Sequence, residues 1–465
     1  MKDIKKESFQ YGMRSLNSRS SGCMRPKLFH DNVSSTRLFV SRLNKFTELE
    51  FHKGCVNSLN FNQSGELIVS GSDDLQIAIW DWTRYCKTPF LTYNSGHTRN
   101  VFQAKFMPNS NNATIASCAQ DGQIRIGWIL SEVDTKKIAQ HKGASHKLTV
   151  EDGSPHILKT VGEDAVVYHI DLRESQPHKL MTLNTQKNCK VPLFSISSNP
   201  MNSCEFCVAG RDPWARIYDT RKIDESGKEV LKKFCPTELQ AYSGFAANIT
   251  CSMYNYNGSE LLCSYNDDDI YLFHTTDSES EPKHTYKGHR NSDTVKGVNF
   301  LGSRSEYIVS GSDCGYIYIW QKDTEEIVNF LHGDNVGVVN VLEPHPNECI
   351  LATAGLDHEV KIWMPTGEGF NDLEKLNKQV KVNLEARLND RKRAPDLFES
   401  QLIFLMVRHH QRQRRRRLSQ NEDGLEENID DSSDDDDDND DDDDDNLSMD
   451  DNDSLNDTGA RCVQS

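Results

Sequence analysis

The chain has 465 residues, 36% of them hydrophobic and 27% charged, with a formal net charge of −18. That length admits two or three domains or one large repeat array, and the acidity is local: between Glu422 and Asp457 lie 21 Asp and Glu and no Lys or Arg, so the remainder is roughly neutral. No apolar run approaches the ~18 residues of a membrane span, and the charged start, Met1 to Glu7, is not a secretory signal, so the expectation is a nuclear and cytoplasmic protein with no membrane partner.

Residues 1–44 open the chain as a polar, Ser-rich segment with apolar points at Phe9, Tyr11, Met13 and Leu16. Its composition points to disorder, with a short docking segment as the alternative. Next, Lys45 to Glu50 reads as a strand ahead of the first repeat, suited to be the outer strand of the last one. A pattern then recurs: a short strand, a small-residue turn ending in Asp, and alternating apolar residues. The clearest copy is Ser70-Gly71-Ser72-Asp73-Asp74, leading through Ile77 and Ile79 to Trp80. It returns at Ser310-Gly311-Ser312-Asp313 with Trp320, and at Ala354-Gly355-Leu356-Asp357 with Trp363. Weaker copies centre on Asp121, Asp164, Asp212 and Asp267, which makes seven anchors spaced 43 to 55 residues apart. Period-2 alternation after a tight turn is a strand signal, and the spacing matches the WD40 repeat with loop insertions.

His52, His97 and His289 precede three of the copies, in His-Lys-Gly or Gly-His pairs. In WD-repeat proteins such a His bonds the turn Asp, which links onward to a Ser or Thr and the Trp. Such a buried network holds only if every member is partnered. His97 with Asp121 and His289 with Asp313 therefore resemble catalytic dyads but read as blade-structural, as do His52 with Asp74. The Trp place holds Gly127 in the second copy, with Trp128 one place late. It holds Ile170 in the third, Tyr218 in the fourth and Phe273 in the fifth. Copies three to five are expected to lack the full network. Seven copies over residues 45–366 predict an all-β, seven-bladed β-propeller, since ring closure removes exposed sheet edges.

Residues 367–420 form an extension, predicted helical over Leu373 to Arg393. It ends in Arg412, Arg414, Arg415, Arg416 and Arg417, a candidate nuclear-import or anion-binding run or simply a solvated helix end. Residues 421–465 hold the Asp-rich tail, which cannot bury enough apolar surface to fold. The 13 Cys are mostly scattered singly. The Cys204/Cys207 pair has no second pair at zinc spacing, so no metal site is expected. There is no G-x-S-x-G, phosphate-cradling Gly loop or complete metal-ligand set. No enzyme activity, cofactor or direct nucleic-acid binding is therefore expected.

Asp171-Leu172-Arg173 ends the third copy and Tyr218-Asp219-Thr220-Arg221 the fourth. These resemble the Asp-x-Arg boxes of WD-repeat substrate receptors of cullin-4 RING ubiquitin ligases. The segments Val208 to Asp212, Asn266 to Phe273, Lys287 to Arg290, Val295 to Phe300 and Glu343 to Pro346 extend the resemblance over about residues 48 to 417. It implies a non-catalytic receptor whose boxes, carried here by Asp171, Arg173, Tyr218, Asp219 and Arg221, bind the damage-specific DNA-binding adaptor and through it the cullin-4 scaffold. The protein substrate stays unidentified. A planar guanidinium suits bidentate contact with an acidic or carbonyl-rich surface; the alternative is that each Arg braces its own blade Asp. The first copy, Trp80-Asp81-Trp82-Thr83-Arg84, carries one extra residue and departs from the box. The resemblance also implies a helix-loop-helix ahead of the ring, near Phe9 to Asn32, where Gly12 and Ser18 to Gly22 make a poor helix. A general WD-repeat scaffold in nuclear or chromatin assemblies is the other reading.

Overall fold

In the first repeat the turn after Ser72 folds Leu67–Ser72 antiparallel onto Gln76–Asp81, with Gly71 opposite Ile77. Leu75 takes the left-handed conformation that so tight a turn demands, as Gly122 and Ala165 do in the next two copies. Two more strands complete a four-stranded antiparallel sheet, and the computed structural model holds seven such sheets among its described residues. Described are residues 13–389, except 85, 130–133, 186–188, 242–246, 277–280, 293, 336 and 368–374. The Arg412 to Arg417 run and the acidic tail lie outside them. Blades one to seven follow chain order, each beginning at its innermost strand. The seventh takes its outer strand from the other end of the ring, where Asn44–Glu50 pairs with Glu359–Met364. Closure thus couples the two ends of the propeller through backbone hydrogen bonds and leaves no free sheet edge there.

The core lies between blades. Leu59, Ile68 and Trp80 of blade one pack with Ala352, Val360 and Ile362 of blade seven. Tyr286, Phe300 and Trp320 join blades five and six. Glycine ends the second strands of blades four and seven, where the first strand bulges against it: a Cβ on Gly210 would sit 2.0 Å from the Pro192 carbonyl oxygen.

Blade one carries the complete polar chain. His52 Nδ1 lies 3.0 Å from Asp74 and its Nε2 2.7 Å from the Ser70 hydroxyl, which also accepts from the Trp80 indole at 2.8 Å. In blade two His97 reaches Asp121 at 3.2 Å and Ser117 at 2.9 Å, with no tryptophan. Burial opposes charge on Asp121. The bonds from His97 and from the Thr98 and Gln123 amides outweigh it and hold the carboxyl at about 2. Blade three keeps a His–Asp pair that the reading above did not identify, His141 to Asp164 at 3.0 Å. Its signal, His141-Lys142-Gly143, is the same variant as His52-Lys53-Gly54. In blade seven the Trp363 indole donates to Thr353 at 2.7 Å, and Asp357 pairs with Lys361 rather than with a histidine. All these imidazoles are bound up inside blades, which suits a structural role.

Blade six departs from expectation. His289 and Asp313 do not bond each other: neither His289 ring nitrogen has a hydrogen-bond partner, while Asp313 accepts from Ser292 and pairs with the buried Lys296 ammonium. A charge-assisted pair is stronger than a bond from a neutral imidazole, so Lys296 takes the carboxylate. The Trp320 indole turns to the Lys287 carbonyl oxygen at 3.0 Å. The space above is closed by the helix of residues 375–389, which the sequence led one to expect but not to dock. Its Leu376 is buried. Asn383 donates to the Gly288 carbonyl oxygen at 2.8 Å and to the Tyr318 hydroxyl at 2.9 Å. Arg387 pairs with Asp269 of blade five at 2.7 Å.

Burial, reinforced by the nearby Arg387 cation, pushes His289 down to about 3. The unfolded chain takes up that proton near 6.5, the folded chain not until far lower pH. Stability from this residue is therefore full above pH 6.5 and declines as pH falls toward 3. Between pH 7 and 5 the loss should reach about 2 kcal/mol. Denaturant midpoints across that range should fall less in His289→Leu than in the wild type. An unchanged slope would assign the acid sensitivity to another group.

Candidate docking face

Third strands run away from the anchoring aspartates, so their ends mark the opposite face of the ring. Asp81, Asp171 and Asp219 end third strands at one register, opposite Leu67, Ile157 and Glu205. Each carries an arginine folded back upon it. Arg173 Nε lies 2.9 Å and its Nη2 2.6 Å from the Asp171 carboxylate. Arg221 repeats this on Asp219 at 3.0 and 2.8 Å, and in both boxes the Arg backbone N–H also donates to the same carboxylate. These hydrogen bonds from Arg173 and Arg221 hold Asp171 and Asp219 at about 2, so both clamps stay charged at any physiological pH.

Bracing and presentation coexist. The carboxylates are largely buried, yet the Arg173 and Arg221 side chains remain 64% and 65% exposed, with the outer edge of each guanidinium free to face a partner. A blade-borne carboxylate thus fixes a planar donor fork in place before binding, which lowers the ordering cost of an interface. Blade one carries a looser version, an ion pair without the paired hydrogen bonds. There Trp82–Arg84 forms a single 3₁₀ turn that brings Arg84 Nε within 2.6 Å of Asp81 despite the extra residue. The turn is pinned by the Trp82 indole donating to the Gly65 carbonyl oxygen at 2.8 Å. Tyr218, by contrast, is not a surface residue. It fills the tryptophan place of blade four, fully buried, stacked on Phe206 and bonded to the Gly227 carbonyl oxygen. It supports the Asp219 clamp from beneath and touches no partner.

Residues ahead of the ring lie on this face too. Ser35 bonds Ser303 and Tyr307 of blade six, and Arg37 pairs with Glu326 at 2.9 Å in the third-to-fourth strand connection. Upstream, residues 13–20 are helical, a turn follows, and Pro26–Ser34 forms a second helix. Of the residues that argued against a helix, Gly12 lies outside the described residues, while Ser18 to Ser20 form the last turn of the first helix and Gly22 supplies the left-handed turn after it at φ 76°. Arg19 stacks over Phe29 at 4.8 Å and ties the two helices together. Met13, Leu16 and Leu28 are left exposed. Residues 13–34 thus form two short helices joined by a turn, within the region where the resemblance would place a helix-loop-helix.

Among the described residues no helix is long and apolar enough to cross a membrane. The model of the family described as "WD domain, G-beta repeat" matches residues 44–81, 87–126, 280–321 and 325–364, leaving the middle blades unmatched. The chain is 29% identical over 290 residues to human "DDB1- and CUL4-associated factor 6", covering 58% of this chain and 32% of that protein. Arabidopsis thaliana "Protein ALTERED SEED GERMINATION 2" is 30% identical over 271 residues, covering 50% of this chain and 36% of that protein. Human "WD and tetratricopeptide repeats protein 1" is 25% identical over 278 residues, covering 53% and 41% respectively. The matches thus span only about a third to two fifths of these curated relatives. With seven four-stranded blades closed by an N-terminal strand, the chain is a seven-bladed WD40 β-propeller, similar through about half its length to these proteins.

Proposed function

We propose that this chain is a non-catalytic substrate receptor: it docks through the face described above onto the DDB1 adaptor of a cullin-4 ubiquitin ligase and holds a protein substrate. The observation that carries the reading is the set of arginine clamps on Asp81, Asp171 and Asp219 at one register of one face, each braced and still exposed. The helix-turn-helix tethered to the same face supports it, as does similarity to a protein named as DDB1- and CUL4-associated. A narrower resemblance, to cullin-4-associated factor eight, rests on the quoted sequence segments alone and is part of this proposal.

The full chain, tagged and expressed in cells, should co-precipitate the adaptor together with cullin-4. A chain that captures neither would leave the general scaffold reading in its place.

A further inference from the structure

The second blade breaks the clamp pattern in an informative way. Trp128 ends its third strand opposite Thr114, the register that Asp81, Asp171 and Asp219 hold in blades one, three and four. The residue before it, Gly127, stands at the place of Trp80 and Tyr218. Tyr93 of blade one has filled the space there, so that even a Cβ at 127 would meet the Tyr93 hydroxyl at 2.8 Å. The blade interior therefore has no room for an indole at this position, and the next residue in a period-2 strand points away from the core. Trp128 is left 40% exposed, and its indole N–H has no hydrogen-bond partner among the described residues.

Other exposed apolar residues share its face of the ring. Phe90 precedes the outer strand of blade one, and Leu231 precedes that of blade four. Met201 and Tyr256 occupy first-to-second strand turns in blades four and five. All four are exposed and lie on the clamp face. Among the described large exposed apolar residues of the propeller strands and loops, only Phe51 belongs to the other face. Single exposed apolar side chains are ordinary on a protein surface. A tryptophan set between two arginine clamps is a different case, because Trp and Arg are the residues that dominate interface energetics, and they do so near interface centres.

We propose that Trp128 is the apolar anchor of the docking face. It inserts into an apolar pocket on the adaptor whose rim presents carboxylates or carbonyl oxygens to Arg84 and Arg173 on the flanking blades. The occupant follows from charge complementarity with those two guanidiniums and from continuity with the face proposed above; the inference rests on that reading. The indole contributes burial, and the clamps fix orientation around it.

The test uses the purified full chain and purified adaptor, with affinity and melting temperature measured for the wild type, Trp128→Ala and Trp128→Phe. Trp128→Ala should bind at least roughly thirtyfold more weakly, with unchanged melting. Trp128→Phe should recover most of the affinity, since an aromatic ring still fills the pocket. Three results overturn the inference. Wild-type chain that does not bind the adaptor removes the receptor reading and this anchor with it. Wild-type binding with Trp128→Ala within about threefold of it removes the anchor alone and leaves the clamps standing. A lowered melting temperature in Trp128→Ala would make the indole part of the blade core.

Discussion

A chain carrying Arg173→Ala and Arg221→Ala together is expected to keep its melting temperature and to lose adaptor binding by roughly a thousandfold. On the proposed docking, each truncation removes a central interface arginine, for which a loss of roughly thirtyfold is ordinary. The two lie in neighbouring blades with separate carboxylate partners, so their effects should approach additivity. Stability should move little: the arginine ends of these pairs are exposed, where ion pairs contribute little, and truncating them uncovers the largely buried carboxylates they lie over. Asp171 and Asp219, once unpaired, stay at strand ends where water can reach them. Lysine at either position should rescue poorly, because an ammonium cannot make the two parallel bonds to its carboxylate and keep further donors outward. Co-precipitation of adaptor and cullin-4, read beside thermal melting, separates the outcomes. Melting that falls in step with binding would mean that the arginines serve only to brace their blades. Full binding at normal melting would assign the docking to other residues of the face.

Trp80→Ala should lower the stability of the ring by about 3–5 kcal/mol, the usual range for truncating a buried tryptophan. The indole is 1% exposed and sits in the cluster that joins blades one and seven, so the cavity opens at the closure of the ring. The truncation also withdraws the donor that partners the Ser70 hydroxyl, weakening the chain that runs through His52 to Asp74. Trp80→Phe should recover most of the packing and none of that hydrogen bond. Urea unfolding of the three proteins measures both parts. A Trp80→Ala unfolding free energy within about 0.5 kcal/mol of wild type would contradict the interlocked core described for these blades. The contrast with Trp128 is instructive, since two tryptophans near the same strand position of adjacent blades should differ in kind: one in stability, the other in binding.

Most of the ring was legible in the sequence. Turn residues and period-2 alternation are local, and a strand or tight turn is specified by the few residues that form it. That is why seven anchors could be counted, and why Lys45 to Glu50 could be read as the outer strand of the last blade. Asp171 with Arg173, and Asp219 with Arg221, are two residues apart and could be read as boxes for the same reason. What the sequence could not decide were choices among competing long-range partners. Lys296 displaces His289 at Asp313 because the fold brings a buried ammonium to that carboxylate. Arg387 reaches Asp269 across 118 residues, because a helix beyond the last blade returns over blades five and six. Arg84 looked one residue too far from Asp81 until a 3₁₀ turn took up the slack. Tyr218 looked like a surface box residue until the register placed it under the clamp. Trp128 looked like a slipped repeat residue, and its exposure was settled only when Tyr93 of the preceding blade took the space inside. Local chemistry determined the blades. Which side chain wins each buried partner, and which is left to face outward, was decided by how neighbouring blades pack when the ring closes.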